Sequence, residues 1–269
     1  MSIRNHLKIM RKAVGHGKLF PQFAHRAKES PQGSYEVSTT GSVWTRMEKE
    51  VGWFRHSEHN IDLDAFEEPL HILQLSDIHI RQKDQWLEEL CLHLKGLEPD
   101  IVVLTGDIVT KFWTEEALDF FLSHLPPARF GCYAILGNWE YWVVSNHNEW
   151  KEHLKEFGVR LLVEEHVEFP HFTLLGTDDF LAGNSNPSQL LSELPDKATI
   201  CLTHSPALFP ELSGSKIQLI LAGHSHGGQF RIPILGPLWV PDGTGKYISG
   251  WYTSKGTHCF VSRGIGWSV

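Results

Sequence analysis

The segment "LHILQLSDIH", residues 70–79, decides the fold. An apolar run of strand length goes straight into Asp77-Ile78-His79, so a buried strand delivers two polar groups to its own end. Working outward, "DQWLEELCLHLKG" (84–96) has helical periodicity and stops at Gly96. "DIVVLTG" (100–106) is a second strand, and "TEEALDFFLSHL" (114–125) a second helix with Thr114 as its N-cap. "RFGCYAILG" (129–137) is a third strand and "NEWKEHLKEFG" (148–158) a third helix. Strand and helix alternate, which predicts parallel strands joined by crossover helices.

After Gly158 the texture changes to strands with short connections: "VRLLVEE", "VEFPHFTLLGTDD", "ATICLTHSP" and "IQLILAGHSH". "GGQFRIPILGPLWVP" and "YISGWYTSKGTHCFVSRGIG" read as hairpins, and "SYEVSTTGSVW" as an edge strand. No repeat or clear linker interrupts the chain, so one α/β domain over residues 36–269 is expected, with residues 1–35 as a basic appendage.

The strand ends carry the chemistry, because ligands bind beyond the carboxyl ends of parallel strands. They read Asp77-x-His79, Gly106-Asp107, Gly137-Asn138, His204 and Gly223-His224-x-His226. Alternate residues of an extended chain point the same way, so D-x-H and H-x-H can each bite one centre. The glycines allow sharp turns at the strand ends. Any one pair is common on a surface, but five in succession at strand ends point to metal binding. Three oxygen donors and four imidazoles exceed the needs of one tetrahedral ion. Two ions sharing Asp107 would use all seven, and mixed N/O ligation without thiolate suits Mn, Fe or Zn.

D-x-H, G-D, G-N, H and G-H-x-H in this order resemble the calcineurin-like metallophosphoesterase family. "GHSHGGQFRIPILGPLWVP" and the late "VSRGIG" are similar to its bacterial branch of YkuE-type phosphoesterases and UDP-2,3-diacylglucosamine pyrophosphatases. The resemblance implies a four-layer αββα sandwich with two divalent metal ions. It puts Asp77, His79, Asp107 and His226 on the first ion. Asp107 as bridge, Asn138, His204 and His224 fall on the second. It implies in-line attack on phosphorus by a metal-bound hydroxide, with Asp107, Asn138 and His204 as catalytic residues. Phosphodiesters and phosphoanhydrides, among them lipid-linked or nucleotide-sugar pyrophosphates, are the implied substrates. Trp139, Glu140 and Arg263 are expected at the substrate. Relatives usually continue past the Gly-x-Gly with a further basic stretch.

One position departs from the pattern. Relatives read Gly-Asn-His-Asp/Glu where this chain has Gly137-Asn138-Trp139-Glu140. An indole N–H donates a hydrogen bond but gives up no proton at neutral pH. Three readings follow: a substrate whose leaving group needs no acid, a substitute acid such as His147, or a metal-holding scaffold protein with little turnover. Trp139, Tyr141, Trp142, Trp150, Leu235, Leu238 and Trp239 could line an apolar mouth or belong to the core.

Composition bounds the rest. The net charge of −8 argues against a general nucleic-acid binder. Residues 1–30 hold seven Lys/Arg and one Glu, a charge of +6, which leaves −14 on the remainder. Such an arm suits an anionic membrane surface. Cys91, Cys132, Cys201 and Cys259 are widely spaced in apolar segments and read as free thiols, as expected of a cytoplasmic protein touching the inner membrane face.

Overall fold

The computed structural model describes residues 17–19, 54–66, 68–214, 216–228, 231–232, 236–237 and 239–266. The edge strand expected in "SYEVSTTGSVW" lies outside them, as do Leu235, Leu238 and most of the basic appendage. Within residues 1–35, β1 (Gly17–Leu19) pairs antiparallel with β12 (Trp239–Pro241).

The first half alternates as expected. β2 (Ile72–Leu75), β3 (Ile101–Leu104), β4 (Cys132–Ala134) and β5 (Val159–Leu161) form a parallel sheet in sequential order. Helices α1 (Gln85–Leu94), α2 (Glu115–Leu122) and α4 (His147–Glu156) connect them. Asp84, Thr114 and Asn146 cap these helices, each side chain accepting an amide N–H of the first turn. One helix of this half was not foreseen: α3 (Asn138–Val143) starts directly at Asn138, where a strand rim was expected.

The second half builds a six-stranded sheet. Its order is β13 (Gly250–Ser254), β14 (Thr257–Val261), β9 (Ile217–Ala222), β8 (Thr199–Thr203), β7 (Thr173–Gly176) and β6 (Glu165–Glu168). β14, β9, β8 and β7 run parallel, with an antiparallel strand at each edge. β10 (Arg231–Ile232) and β11 (Gly236–Pro237) form a separate hairpin. The connections are not all short: α5 (Pro187–Glu193), a 3₁₀ turn (Pro206–Leu208) and α6 (Phe209–Leu212) lie between strands.

Alternation along each strand explains the layering. Ile101, Val103 and Ile135 pack against Leu174, Ile200, Leu202, Leu219 and Leu221, so the two sheets meet face to face. On the outer face of the first sheet, Val102, Leu104 and Ala134 pack with Leu90, Phe121 and Leu154 of the helices. On the outer face of the second, Cys201, Ile220 and Cys259 pack with Leu190, Phe209 and Leu212. The result is four layers, αββα, as the family resemblance implies. Trp150 belongs to the core, edge-on to Trp113 at 5.6 Å. All four cysteines are free thiols; Cys132 alone of them is not fully buried.

Candidate metal centre

The loops after β2, β3 and β4 meet the loops after β8 and β9 at the seam between the two sheets. Asp77 N–H donates to Gly106 O (3.0 Å) and His79 N–H to Asp107 O (3.0 Å), which ties the first two loops together. Asp77, His79, Asp107, His224 and His226 all have φ between 49° and 69°. Left-handed backbone costs a non-glycine residue roughly 1–2 kcal/mol. The pairs therefore converge through left-handed turns and not through strand alternation. The H-x-H pair is accordingly split: His226 joins Asp77 and His79, while His224 joins Asp107 and His204.

All three of the glycines are needed for close approach, a Cβ on Gly223 lying 2.5 Å from Asp77 Oδ2. Gly106 has φ +87°, and a Cβ there would lie 2.6 Å from His204 Nδ1. A Cβ on Gly137 would collide with the Asp107 carboxylate.

In the first group His79 Nε2 lies 3.0 Å from His226 Nε2, with the rings stacked at 4.9 Å. Asp77 Oδ1 is 3.4 Å from His226 Nε2, and the Asp77 carboxylate also accepts the backbone N–H of His224 at 2.9 Å. In the second group His204 Nε2 lies 3.3 Å from Asp107 Oδ2, 3.2 Å from Asn138 Oδ1 and 3.2 Å from His224 Nδ1. Asp107 Oδ2 is also 3.8 Å from His79 Nε2, so one carboxylate oxygen faces both groups. All seven residues come together, and six of them are buried, His226 being partly exposed.

The hydrogen-bond pattern fits a cation. His204 Nδ1 faces Thr105 O (2.8 Å) and His224 Nε2 faces Asp242 O (2.5 Å), so each of these nitrogens must carry the proton. That leaves His204 Nε2, His224 Nδ1, Asp107 Oδ2 and Asn138 Oδ1 as lone pairs pointed at one another, with no donor between them. Burial opposes charge on His204, but the Asp107 carboxylate outweighs it and pulls the pKa well above the ordinary histidine value. His224 goes the other way, down to about 3, through burial and then the charge of His204. Burial would raise Asp107, yet His204 holds it below the usual carboxylate range. A single proton is thus the smallest cation that relieves this cluster, and a divalent ion would relieve it further.

The residues expected at the substrate divide. Glu140 is fully buried, and its carboxylate accepts the backbone N–H groups of Asp107 (2.9 Å), Ile108 (2.8 Å), Val109 (3.1 Å) and Gly137 (2.8 Å). Burial and then the Asp107 charge push its pKa up to about 8, while the amide donors pull it down. It faces the scaffold, clamping the loops that carry Asp107 and Asn138, and is not open to a substrate. Only the bond to Gly137 is local; nothing in the pattern Gly-Asn-Trp-Glu announces the other three partners, which lie 31 to 33 residues away. Trp139 is 7% exposed, edge-on to the His79 ring at 5.8 Å and to Trp142 at 5.5 Å. Its backbone N–H donates to Asp107 Oδ1 (2.8 Å). Arg263 is exposed, its stem beside Gly227. His147 is engaged elsewhere, 3.4 Å from Glu140 O and packed on Tyr141.

A four-layer sandwich with two candidate ligand groups at the seam between its sheets is the architecture of a metallophosphoesterase domain. Residues 70–228 match the calcineurin-like phosphoesterases, and the chain belongs to that family. It is 28% identical over 206 residues to the uncharacterized metallophosphoesterase YkuE of Bacillus subtilis, covering 72% of this chain and 71% of that one. It is 29% identical over 233 residues to the phosphodiesterase YaeI of Escherichia coli, covering 81% and 83%. Identity to the UDP-2,3-diacylglucosamine pyrophosphatase LpxG of Chlamydia trachomatis is 26% over 216 residues, covering 61% of this chain and 65% of that one.

Proposed function

We propose that the chain is a two-metal phosphohydrolase that cleaves a phosphoanhydride or a phosphodiester with a good leaving group. The observation that carries this reading is the single oxygen Asp107 Oδ2 facing His79 at 3.8 Å and His204 at 3.3 Å. Asp77, His79, Asp107 and His226 would hold one divalent ion, and Asp107, Asn138, His204 and His224 the other. Such ions, when bound, supply Lewis acidity and lower the pKa of water toward 7.

The protein's own part is orientation. Thr105 O and Asp242 O fix the tautomers of His204 and His224, and Glu140 fixes the loops that carry Asp107 and Asn138. Trp139, pressed on His79, keeps one wall of the site apolar and brings no transferable proton. A positioned general acid is worth about 10² to 10⁴ in rate. An alkoxide leaving group needs that help, whereas a phosphate, with a second pKa near 6, needs little.

A series of substrates of graded leaving-group pKa tests this. Anhydrides and nitrophenyl esters should turn over, with alkyl esters slower by orders of magnitude. A flat dependence, with chemistry rate-limiting, would mean that another group protonates the leaving oxygen. No turnover with Mn, Zn or Mg on any substrate would favour the scaffold reading instead.

A further inference from the structure

A cavity of about 540 Å³ opens on the second sheet's side of the molecule and shares no lining residue with the metal centre. Its wall brings together Lys246 from the loop after β12 and Lys255 from the β13–β14 turn, with Ser213, Ser254, Gly245 and Tyr247. Elsewhere on this acidic chain Lys151, Lys155, Lys197 and Lys216 each pair with a carboxylate, while Lys83 and Lys111 lie singly over the Phe120 and Phe112 rings. Lys246 and Lys255 pair with none among the described residues; the Lys246 ammonium lies 5.4 Å from the Tyr247 ring centre. Two cations are thus gathered in one concavity without an anion from the protein. Ser213 Oγ gives its one proton to Pro210 O at 3.1 Å, and Ser254 Oγ lies 3.4 Å from Ser213 Oγ, so the Ser254 hydroxyl can turn its own proton to Ser213 or into the cavity.

The walls are pinned. Asp242 O and Ile248 O, at the two ends of the Lys246 loop, accept from His224 Nε2 (2.5 Å) and Ser225 Oγ (2.5 Å). The Lys255 stem rests on Gly214, where a Cβ would lie 2.7 Å from its Cδ. The backbone behind the site is thus held in place, and binding has to order only the exposed ends of Lys246 and Lys255.

We propose that this cavity binds a phosphate-class oxyanion. Lys246 and Lys255 supply the charge, Ser254 a hydroxyl donor, and Tyr247 with the lysine stems an apolar lining for the group that carries the phosphate. The same chemistry is offered by a free phosphorylated small molecule and by an anionic lipid headgroup.

The full chain, stripped of metal with chelator, is titrated with inorganic phosphate by calorimetry. It is also pelleted with phosphatidylcholine vesicles with and without phosphatidic acid, the share carried by the basic residues 1–30 being subtracted by running the same chain without them beside it. One phosphate site, or pelleting that needs phosphatidic acid, should weaken at least about tenfold in Lys246→Ala/Lys255→Ala, since two charge-assisted contacts are lost. Lys246→Arg/Lys255→Arg keeps both charges and should bind nearly as wild type, and equal urea midpoints in all three chains exclude misfolding. Loss of phosphate binding alone assigns the free anion; loss of phosphatidic-acid-dependent pelleting assigns the headgroup. No binding in either arm, binding unchanged in the alanine variant, or equal loss in the arginine variant would overturn the proposal.

Discussion

Glu140 and Trp139 are adjacent in sequence, and the fold sends them in opposite directions. The carboxylate turns inward to four backbone N–H groups; the indole lies against His79. Removing Glu140 would strand those buried donors, at about 1–3 kcal/mol each if none relaxes. Glu140→Ala should therefore lower stability by at least about 3 kcal/mol in urea and empty the metal centre as well. An unchanged midpoint would show that the amides find other acceptors. The seven ligand-type residues were legible in the sequence because Asp, Asn and His after an apolar run can be read from residue type and position alone. The direction of Glu140 was not legible, because it is set by the β3 loop, which packs onto the start of α3 only in the folded chain.

Short elements escaped the sequence reading where long ones did not. α1, α2 and α4 each pair a capping side chain with a periodic apolar face, and both signals are local. α3 has six residues and follows Gly137 with no side-chain cap, and α6 has four. Neither is long enough for periodicity to show, and isolated helices of that length are unstable without tertiary contacts. The split of His224 from His226 follows from the family resemblance but not from strand alternation, because it depends on left-handed turns that non-glycine residues adopt only when the surroundings hold them there. At this scale Gly137→Ala is the informative variant. Its φ of −104° is open to alanine, so the cost is the collision with the Asp107 carboxylate and not backbone strain. Displacement by about 1 Å lowers rate on the order of 10²-fold. Turnover in Gly137→Ala should fall by about that much, with far-UV dichroism unchanged; wild-type turnover would mean that the two loops have slack.

The site exists only where the two sheets meet. Asp77, His79, Asp107 and Asn138 come from the four-stranded sheet, and His204, His224 and His226 from the six-stranded one. Metal bound across the seam should stabilise the whole fold by mass action, about 2.7 kcal/mol at a hundredfold excess over Kd. Chelator should lower Tm, with both sheets melting together; an unchanged Tm would argue that the ions do not bridge the seam. The basic N-terminal residues form a second whole-molecule feature. With +6 on residues 1–30 against −14 elsewhere, the full chain should pellet with anionic liposomes at low salt and release at high salt. A chain lacking those residues that pellets equally well would remove the arm from the account. Among the described residues no helix is long and apolar enough to cross a membrane. The central claim is that Asp107 joins two ions, and elemental analysis of wild type beside Asp107→Asn tests it most directly. The account predicts two divalent ions per chain in wild type, with loss of at least one ion and of turnover in the variant. Two ions retained in Asp107→Asn would contradict it.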